Sequence, residues 1–441
     1  MIPGLKKRIS VSRALVHDRL KPNTPTPPSK TLQLRSVFLC VVLVILALAF
    51  SCSRQPENGE QPVNRSTIKI GYFGDLSGPN YNFSQSAMNG VLMAAAKMNQ
   101  YGGIKGRQID VVIEDDRGSP EESARLTAKL IDRDKVIAIV AGGVSGNSLA
   151  AAPKAQSSHV PLISPSSTDP AVTKTGDYIF RTCFVDSFQG EVMASFAAAT
   201  LQAKKAAILF DFNSPYGRGL TDFFEASFRK LGGEIVNKQS YKQGDTDFKG
   251  QLSSIEAAEP DVIYIPGYYG DVALIAKQAR ALGLEQPLLG GDGWDAPELW
   301  QLGGDALNGS YMSTHYSPDS PSPEIQSFVE EYKQRYQNLS PDAHAALAYD
   351  ATRLLFDALE RAGTTDSGPL RDALAQTKDF KGVTGLISID ADRNAVKPAI
   401  VLKLQDADFI YQETIQPKTS EPQPTPQSPS PARSRRSGFS N

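Results

Sequence analysis

The sequence predicts an α/β protein made of two Rossmann-like lobes, each a parallel β-sheet with helices on both faces. Two observations carry this prediction. From residue 67 onward, short β-rich runs alternate with segments whose apolar residues recur at the helical period, the pattern of βαβ units and hence of parallel strands joined by helices. About ten such strands over roughly 350 residues are also too many for one compact sheet, so the core should divide in two.

The elements follow in order. Ile68–Phe73 is a β-rich run ending at Gly74, and from Phe83 to Asn99 apolar residues recur at 83, 87, 91, 94 and 98, one face of a helix. Gly102-Gly103-Ile104-Lys105-Gly106 makes a turn. Gln108–Glu114 reads as a strand, Pro120–Arg133 as a helix, Val136–Ala141 as a strand, Ser145–Gln156 as a helix and Val160–Ser164 as a strand. The second series runs from a helix over 189–202 to strand Ala206–Phe210, helix Tyr216–Leu231 and strand Glu234–Ser240. It continues through helix Phe248–Ala258, strand Val262–Ile265, helix Asp271–Leu282 and strand Leu288–Gly290.

The two ends differ from this body. The chain has 441 residues, with 46 Lys and Arg against 48 Asp and Glu, a formal net charge of −2. Residues 1–52 hold eight basic side chains and one acid, and residues 414–441 hold four and one, which leaves 34 basic against 46 acidic residues, a net of −12, in 53–413. Such a body is not a nucleic-acid binder. Eleven of the thirty prolines lie in the same two ends, and the polar, proline-rich stretches there cannot bury a core, so the tail 414–441 is expected to be disordered.

Within the leader, Val37–Phe50 is an uncharged apolar run of fourteen residues behind Arg35. That is short for a transmembrane helix and fits the apolar core of a secretory signal. Ser51-Cys52-Ser53 follows, then a polar linker over 53–66. A cysteine directly behind such a core resembles a bacterial lipoprotein signal, in which the chain is cut before the cysteine and the cysteine is lipidated. An uncut signal anchor and cleavage by an ordinary signal peptidase are the other readings, and all three export the body. Of the three cysteines only Cys183 lies in the body, so no disulfide framework is expected.

The body shows no catalytic set. His159, His315 and His344 lack the i, i+4 spacing of a zinc helix, and no cysteine pair exists, so no metal and no cofactor is expected. Gly143-Val144-Ser145-Gly146-Asn147 has asparagine where a nucleophile elbow needs glycine. What the strands do carry at their carboxyl ends, where ligands bind in such sheets, is a polar binding vocabulary. Gly142-Gly143-Val144-Ser145 opens a helix whose free amides suit a carboxylate; Ser145 reads equally as a donor and as a helix cap. Pro165-Ser166-Ser167-Thr168-Asp169-Pro170 offers hydroxyls and free backbone groups, or is simply a turn. Tyr216, Tyr268 and Trp294 follow later strands and suit the walls of a cleft. Asp292, between two glycines, is the best partner for a ligand cation, its alternative being a turn aspartate. Anion donors in the first half and a carboxylate in the second suit a zwitterion.

Leu76-Ser77-Gly78-Pro79, Gly102–Gly106, Pro161–Pro165, Phe180-Arg181-Thr182, Tyr216-Gly217, Gly267-Tyr268, Gly291-Asp292-Gly293-Trp294 and Tyr349-Asp350-Ala351 occur in this order over 67–413. In this the chain resembles the periplasmic substrate-binding proteins that serve branched-chain amino acid ABC transporters. The resemblance implies the type I periplasmic binding protein fold, two lobes joined by three crossovers and closing on a ligand. The crossovers are expected near Asp186, Thr314 and Asp392, giving one lobe of 67–186 plus 315–392 and another of 187–314 plus 393–413. It implies that the ligand carboxylate meets Ser145 and the amides around Thr168. The ammonium would meet the Ser166 carbonyl, the Thr168 hydroxyl and Asp292, with Phe83, Tyr216, Tyr268 and Tyr349 as walls and Ser167 in the same loop. At Asp292 the family often has the longer glutamate, and Gly146-Asn147 replaces a more hydroxyl-rich run. The implied partners are a small-molecule amino acid and an inner-membrane ABC permease, with a lipid-anchored monomer in the periplasm and no nucleic acid. A sensory receptor for an amide, urea or aromatic acid is the alternative.

Overall fold

A computed structural model describes residues 67–417. The leader, the linker, the Cys52 lipidation signal and the tail beyond Pro417 lie outside the described residues. No helix among the described residues is long and apolar enough to cross a membrane.

Five strands form the first sheet: β1 (Ile68–Gly74), β2 (Ile109–Asp115), β3 (Ile139–Ala141), β4 (Leu162–Ser164) and β5 (Ile179–Arg181), all parallel in the order β2-β1-β3-β4-β5. Between them run α1 (Tyr81–Gln100), α2 (Pro120–Asp132), α3 (Ser145–Ser157) and α4 (Ala171–Lys174). β3, β4 and β5 are buried along their whole length, as strands covered on both faces must be. The caps explain where helices begin: Ser119 accepts from the Glu122 amide at 3.3 Å, and Pro120, with no amide to satisfy, opens α2.

α5 (Asp186–Ser195), ending in one π turn over Phe196–Thr200, leads into the second sheet. There β6 (Lys205–Asp211), β7 (Glu234–Tyr241), β8 (Val262–Tyr264), β9 (Leu288–Gly290) and β10 (Ser310–Thr314) are parallel. They alternate with α6 (Pro215–Lys230), α7 (Lys249–Glu256), α8 (Tyr269–Ala281) and α9 (Pro297–Gly303). The chain then returns to the first half with α10 (Pro323–Arg335), α11 (Ala343–Ala362) and α12 (Ser367–Ala375) and a small antiparallel sheet of β11 (Phe380–Gly382), β12 (Gly385–Ile389) and β13 (Ala395–Val396). It re-enters the second sheet at β14 (Ala399–Gln405), which pairs antiparallel with β10 and with β15 (Asp408–Ile415). The second sheet is thus mixed, in the order β15-β14-β10-β9-β8-β6-β7, and the chain passes between the halves three times. β15 draws Thr414 and Ile415 into the sheet opposite Ile400 and Ala399.

One face of the first sheet packs Phe73, Ile139 and Leu162 on Leu130 of α2 and the alanines of α3. The other packs Tyr72, Val140 and Ile163 on α1 and α11. α1 and α11 approach so closely that a Cβ on Gly90 would lie 2.9 Å from the Tyr349 amide nitrogen and closer still to the Ala345 carbonyl oxygen. Phe83 on α1 is buried in the apolar cluster of the other half. Tyr269 at the start of α8 donates to Pro79 O at 3.1 Å and accepts from Asn82 Nδ2 at 3.2 Å, so the two halves meet over a face at the carboxyl ends of both sheets.

Candidate functional site

A cavity lies at this face, lined by Phe83, Gly142 to Ser145, Ser166, Tyr216, Tyr268, Asp292, Gly293 and His344. Six of the residues singled out in the sequence therefore come together: Phe83, Ser145, Ser166, Tyr216, Tyr268 and Asp292. They arrive from separate strand ends, β3, β4, β6, β8 and β9, and from the first turn of α1.

At one wall the N-terminus of α3 opens directly from β3. Val144 is the N-cap and makes no side-chain cap bond, so Ser145 is the first helical residue and not the cap. Asn147 is the first to bond back, to Val144 O at 3.0 Å, and a helix start leaves the amides before it free for a ligand. Ser145 Oγ accepts from the Asp169 amide at 3.3 Å and keeps its own proton to donate.

Ser167 and Thr168 lie behind this wall rather than on it. Ser167 is fully buried, its Oγ 2.8 Å from Ser148 Oγ and donating to Gly143 O at 3.0 Å, so it ties the loop after β4 to the loop after β3. Thr168 is also fully buried, and its carbonyl accepts from the Asp186 amide at 3.0 Å. The burial follows from Arg181, whose guanidinium, wholly inside, donates to Ser167 O at 2.8 Å and Asp169 O at 2.6 Å and pulls the loop inward.

Asp292 sits at the opposite wall in a short 3₁₀ turn after β9 and is only 5% exposed. Its Oδ1 accepts from Gln189 Nε2 and from the Tyr216 hydroxyl, both at 2.9 Å, and its Oδ2 lies 3.1 Å from His315 Nε2. Tyr216 also accepts from the Gly293 amide at 3.0 Å, which locks the acid and the ring together. Burial pushes the Asp292 carboxyl up, but the hydrogen bond from His315, its charge and the Gln189 amide outweigh burial and leave it below the usual carboxylate range. Burial pushes His315 down to about 4 against the pull of Asp292. Near neutral pH the pair is therefore a carboxylate receiving a hydrogen bond from a neutral imidazole, not an ion pair. Asp186, fully buried nearby, is driven well above its ordinary value by desolvation and so holds its proton tightly. The charge facing the cavity is that of Asp292, and its hydrogen-bonding partners are all neutral.

The remaining walls are aromatic. Tyr216 stacks on Tyr268 with centroids 5.2 Å apart and planes at 13°. Phe83 meets Tyr269 edge-on at 5.0 Å and stacks on His344 at 4.0 Å and 27°. Tyr349, expected as a wall, is not in the cavity. It packs on Phe328 at 5.0 Å under the Arg353 guanidinium and lines a separate groove with Ala94 and Lys97. The reason is helical geometry: five residues along α11 turn a side chain by about 140°, so the helix presents His344 to the cavity and Tyr349 away from it. Nothing in the sequence marks His344 or the supports Gln189 and His315 as site residues, since neither histidine has a metal-type partner there. Among the described residues no group of three or more His, Cys, Asp or Glu is placed to hold a metal.

Residues 67–408 match the model of the periplasmic binding protein family. The chain belongs to this family. The resemblance read from the motifs and the two-lobed fold it implied therefore stand. A Leu/Ile/Val-binding protein homolog of Brucella melitensis is 28% identical over 346 residues, covering 78% of this chain and 93% of that protein. The leucine-binding protein LivK of Thermotoga maritima superposes with a TM-score of 0.77 at 38% identity, covering 80% of this chain and 99% of the other. The branched-chain amino acid transporter substrate-binding protein LivJ of Streptococcus pneumoniae, solved in complex with isoleucine, gives 0.76 at 37% identity, covering 80% and 100%.

Proposed function

We propose that this family member is an extracytoplasmic receptor that captures an α-amino acid, branched-chain or related, between its lobes and delivers it to an ABC permease, with no covalent step. The observation that supports this most is Asp292. Its carboxylate is held ionised by neutral hydrogen-bond partners and lines the cavity, so its charge is left for a ligand cation to meet. The opposite wall offers helix-start amides and the Ser145 hydroxyl to an anion. A zwitterion of α-amino acid size satisfies both ends at once, with Ser166 beside it and the rings of Phe83, Tyr216, Tyr268 and His344 forming the rest of the wall.

The isoleucine complex of LivJ and the Leu/Ile/Val-binding relative point to the same ligand class. A sensor for a neutral amide, a urea or an aromatic acid would leave Asp292 without its cation. The lobes of this reading are 67–186 plus 315–392 and 187–314 plus 393–413. Binding energy closes them, and the closed form is what the permease engages. A lipid anchor at Cys52 holds the monomer at the membrane. Mass spectrometry of the mature N-terminus should find an acylated Cys52. Calorimetric titration with leucine, valine, alanine and glutamate tests the function itself. Heat from at least one is expected, and silence from all of them would sink the proposal.

A further inference from the structure

His344 is placed to do more than complete a wall. It lies in the first turn of α11, which Asp342 caps by accepting from the Ala345 amide at 2.9 Å. Its ring is 7% exposed, lines the cavity and is fixed by stacking on Phe83 at 4.0 Å. Its Nε2 has no hydrogen-bond partner within the chain. The Tyr216 hydroxyl, by contrast, is committed to Asp292 and Gly293. Burial pushes the imidazole down to about 4, so the ring is neutral in use and offers one nitrogen as donor and the other as acceptor.

Once a zwitterion has placed its carboxylate at the start of α3 and its ammonium at Asp292, the part of the cavity left for its side chain is the Phe83–His344 wall. An aliphatic side chain there leaves Nε2, already buried, unpaired. A hydroxyl or side-chain amide pairs it. A site built around such an atom discriminates against the isostere that lacks the matching group.

We propose that His344 reads the ligand side chain through a hydrogen bond from or to Nε2, so that the site prefers α-amino acids with a side-chain hydroxyl or amide to aliphatic ones of the same shape. This rests on the amino-acid reading of the cavity. It is tested by calorimetry on the purified full chain with two near-isosteric pairs, threonine against valine and asparagine against leucine. The polar member of at least one pair is expected to bind about tenfold tighter or more. His344→Phe keeps the stacking on Phe83 and removes the nitrogens, and should bring that ratio to one or invert it. If valine and leucine bind the unaltered protein as tightly as threonine and asparagine, the role of His344 is overturned while the receptor reading stands. A ratio left unchanged by His344→Phe overturns that role equally. If no α-amino acid binds, the receptor reading falls and this inference with it. The ratio on the unaltered protein needs no variant to fold.

Discussion

Asp292→Asn isolates the charge of the site from its shape. The substitution keeps the side-chain volume, and the amide oxygen can go on accepting from Gln189 and Tyr216 at the 2.9 Å positions. The new amide nitrogen faces His315, whose Nε2 becomes the acceptor if the ring proton moves to Nδ1, an atom now without a partner. What disappears is the negative charge opposite the ligand ammonium. Truncating one member of a fully desolvated charge pair costs roughly 2–5 kcal/mol. Asp292 is 5% exposed and has no other cation, so the upper part of that range applies. About 3 kcal/mol or more corresponds to a loss of about 100-fold or more in affinity. Because hydrogen bonds hold the Asp292 carboxyl below the usual carboxylate range, folding favours its ionised form, and Asp292→Asn should melt somewhat below the unaltered protein near neutral pH. The assay is calorimetric titration of both proteins with the tightest α-amino acid and with its analogue lacking the amino group. The unaltered protein should reject the analogue strongly, and Asp292→Asn should scarcely distinguish the two. Binding of the amino acid by Asp292→Asn within about threefold of the unaltered protein would remove Asp292 as the ammonium's partner.

Three further outcomes are expected. Tyr349→Leu should change ligand affinity less than about threefold while costing about 1–3 kcal/mol in urea unfolding through lost packing on Phe328 and Arg353; a collapse of affinity would return Tyr349 to the site. Gly90→Ala should destabilise by about 1–3 kcal/mol despite its better helix propensity, because the methyl group enters the backbone of α11 at Ala345 and Tyr349; an unchanged urea midpoint would contradict that packing. Asp342 has its carboxyl pushed up from 3.8 to about 7, first by burial, then by Asp295, with Glu298 adding and the Ser86 hydroxyl and Ala345 amide opposing. A raised carboxyl holds its proton more tightly when folded, so its stabilisation is complete below 3.8 and is lost as pH rises through about 7. Asp342→Asn keeps the helix cap and cannot titrate, so its melting temperature should fall less between pH 4 and 8 than that of the unaltered protein; parallel curves would remove Asp342 as a contributor.

The parts of the fold legible in the sequence are those where local pattern and tertiary role agree. The parallel strands β1 to β4 and β6 to β9 announce themselves as short apolar runs between helical periods, and their observed boundaries lie within a few residues of those the pattern predicts; β5, only three residues long, is not among the predicted strands. The β14–β15 hairpin does not announce itself. Its turn is Asp406-Ala407, both at positive φ, 54° and 67°, in place of the Asn-Gly that usually marks such a turn. The loops at the strand ends are legible because glycine, serine, tyrosine and aspartate there have little to do in a core. Thr168 reads as a direct wall by residue type, but Arg181 turns its loop inward, a contact from the next strand that residue type does not reveal. His344 is unreadable for a different reason: α11 is buried on nearly every side, so its sequence carries no polar face to show which residues look into the cavity.

Everything proposed for this site depends on an α-amino acid lying between the start of α3 and Asp292. A crystal structure of the protein with its tightest amino acid decides the matter. The carboxylate is expected against the first-turn amides of α3 and the Ser145 hydroxyl, and the ammonium nitrogen about 2.7–2.9 Å from an Asp292 oxygen. An amino acid bound with its ammonium turned away from Asp292, or bound outside this cavity, would contradict the placement.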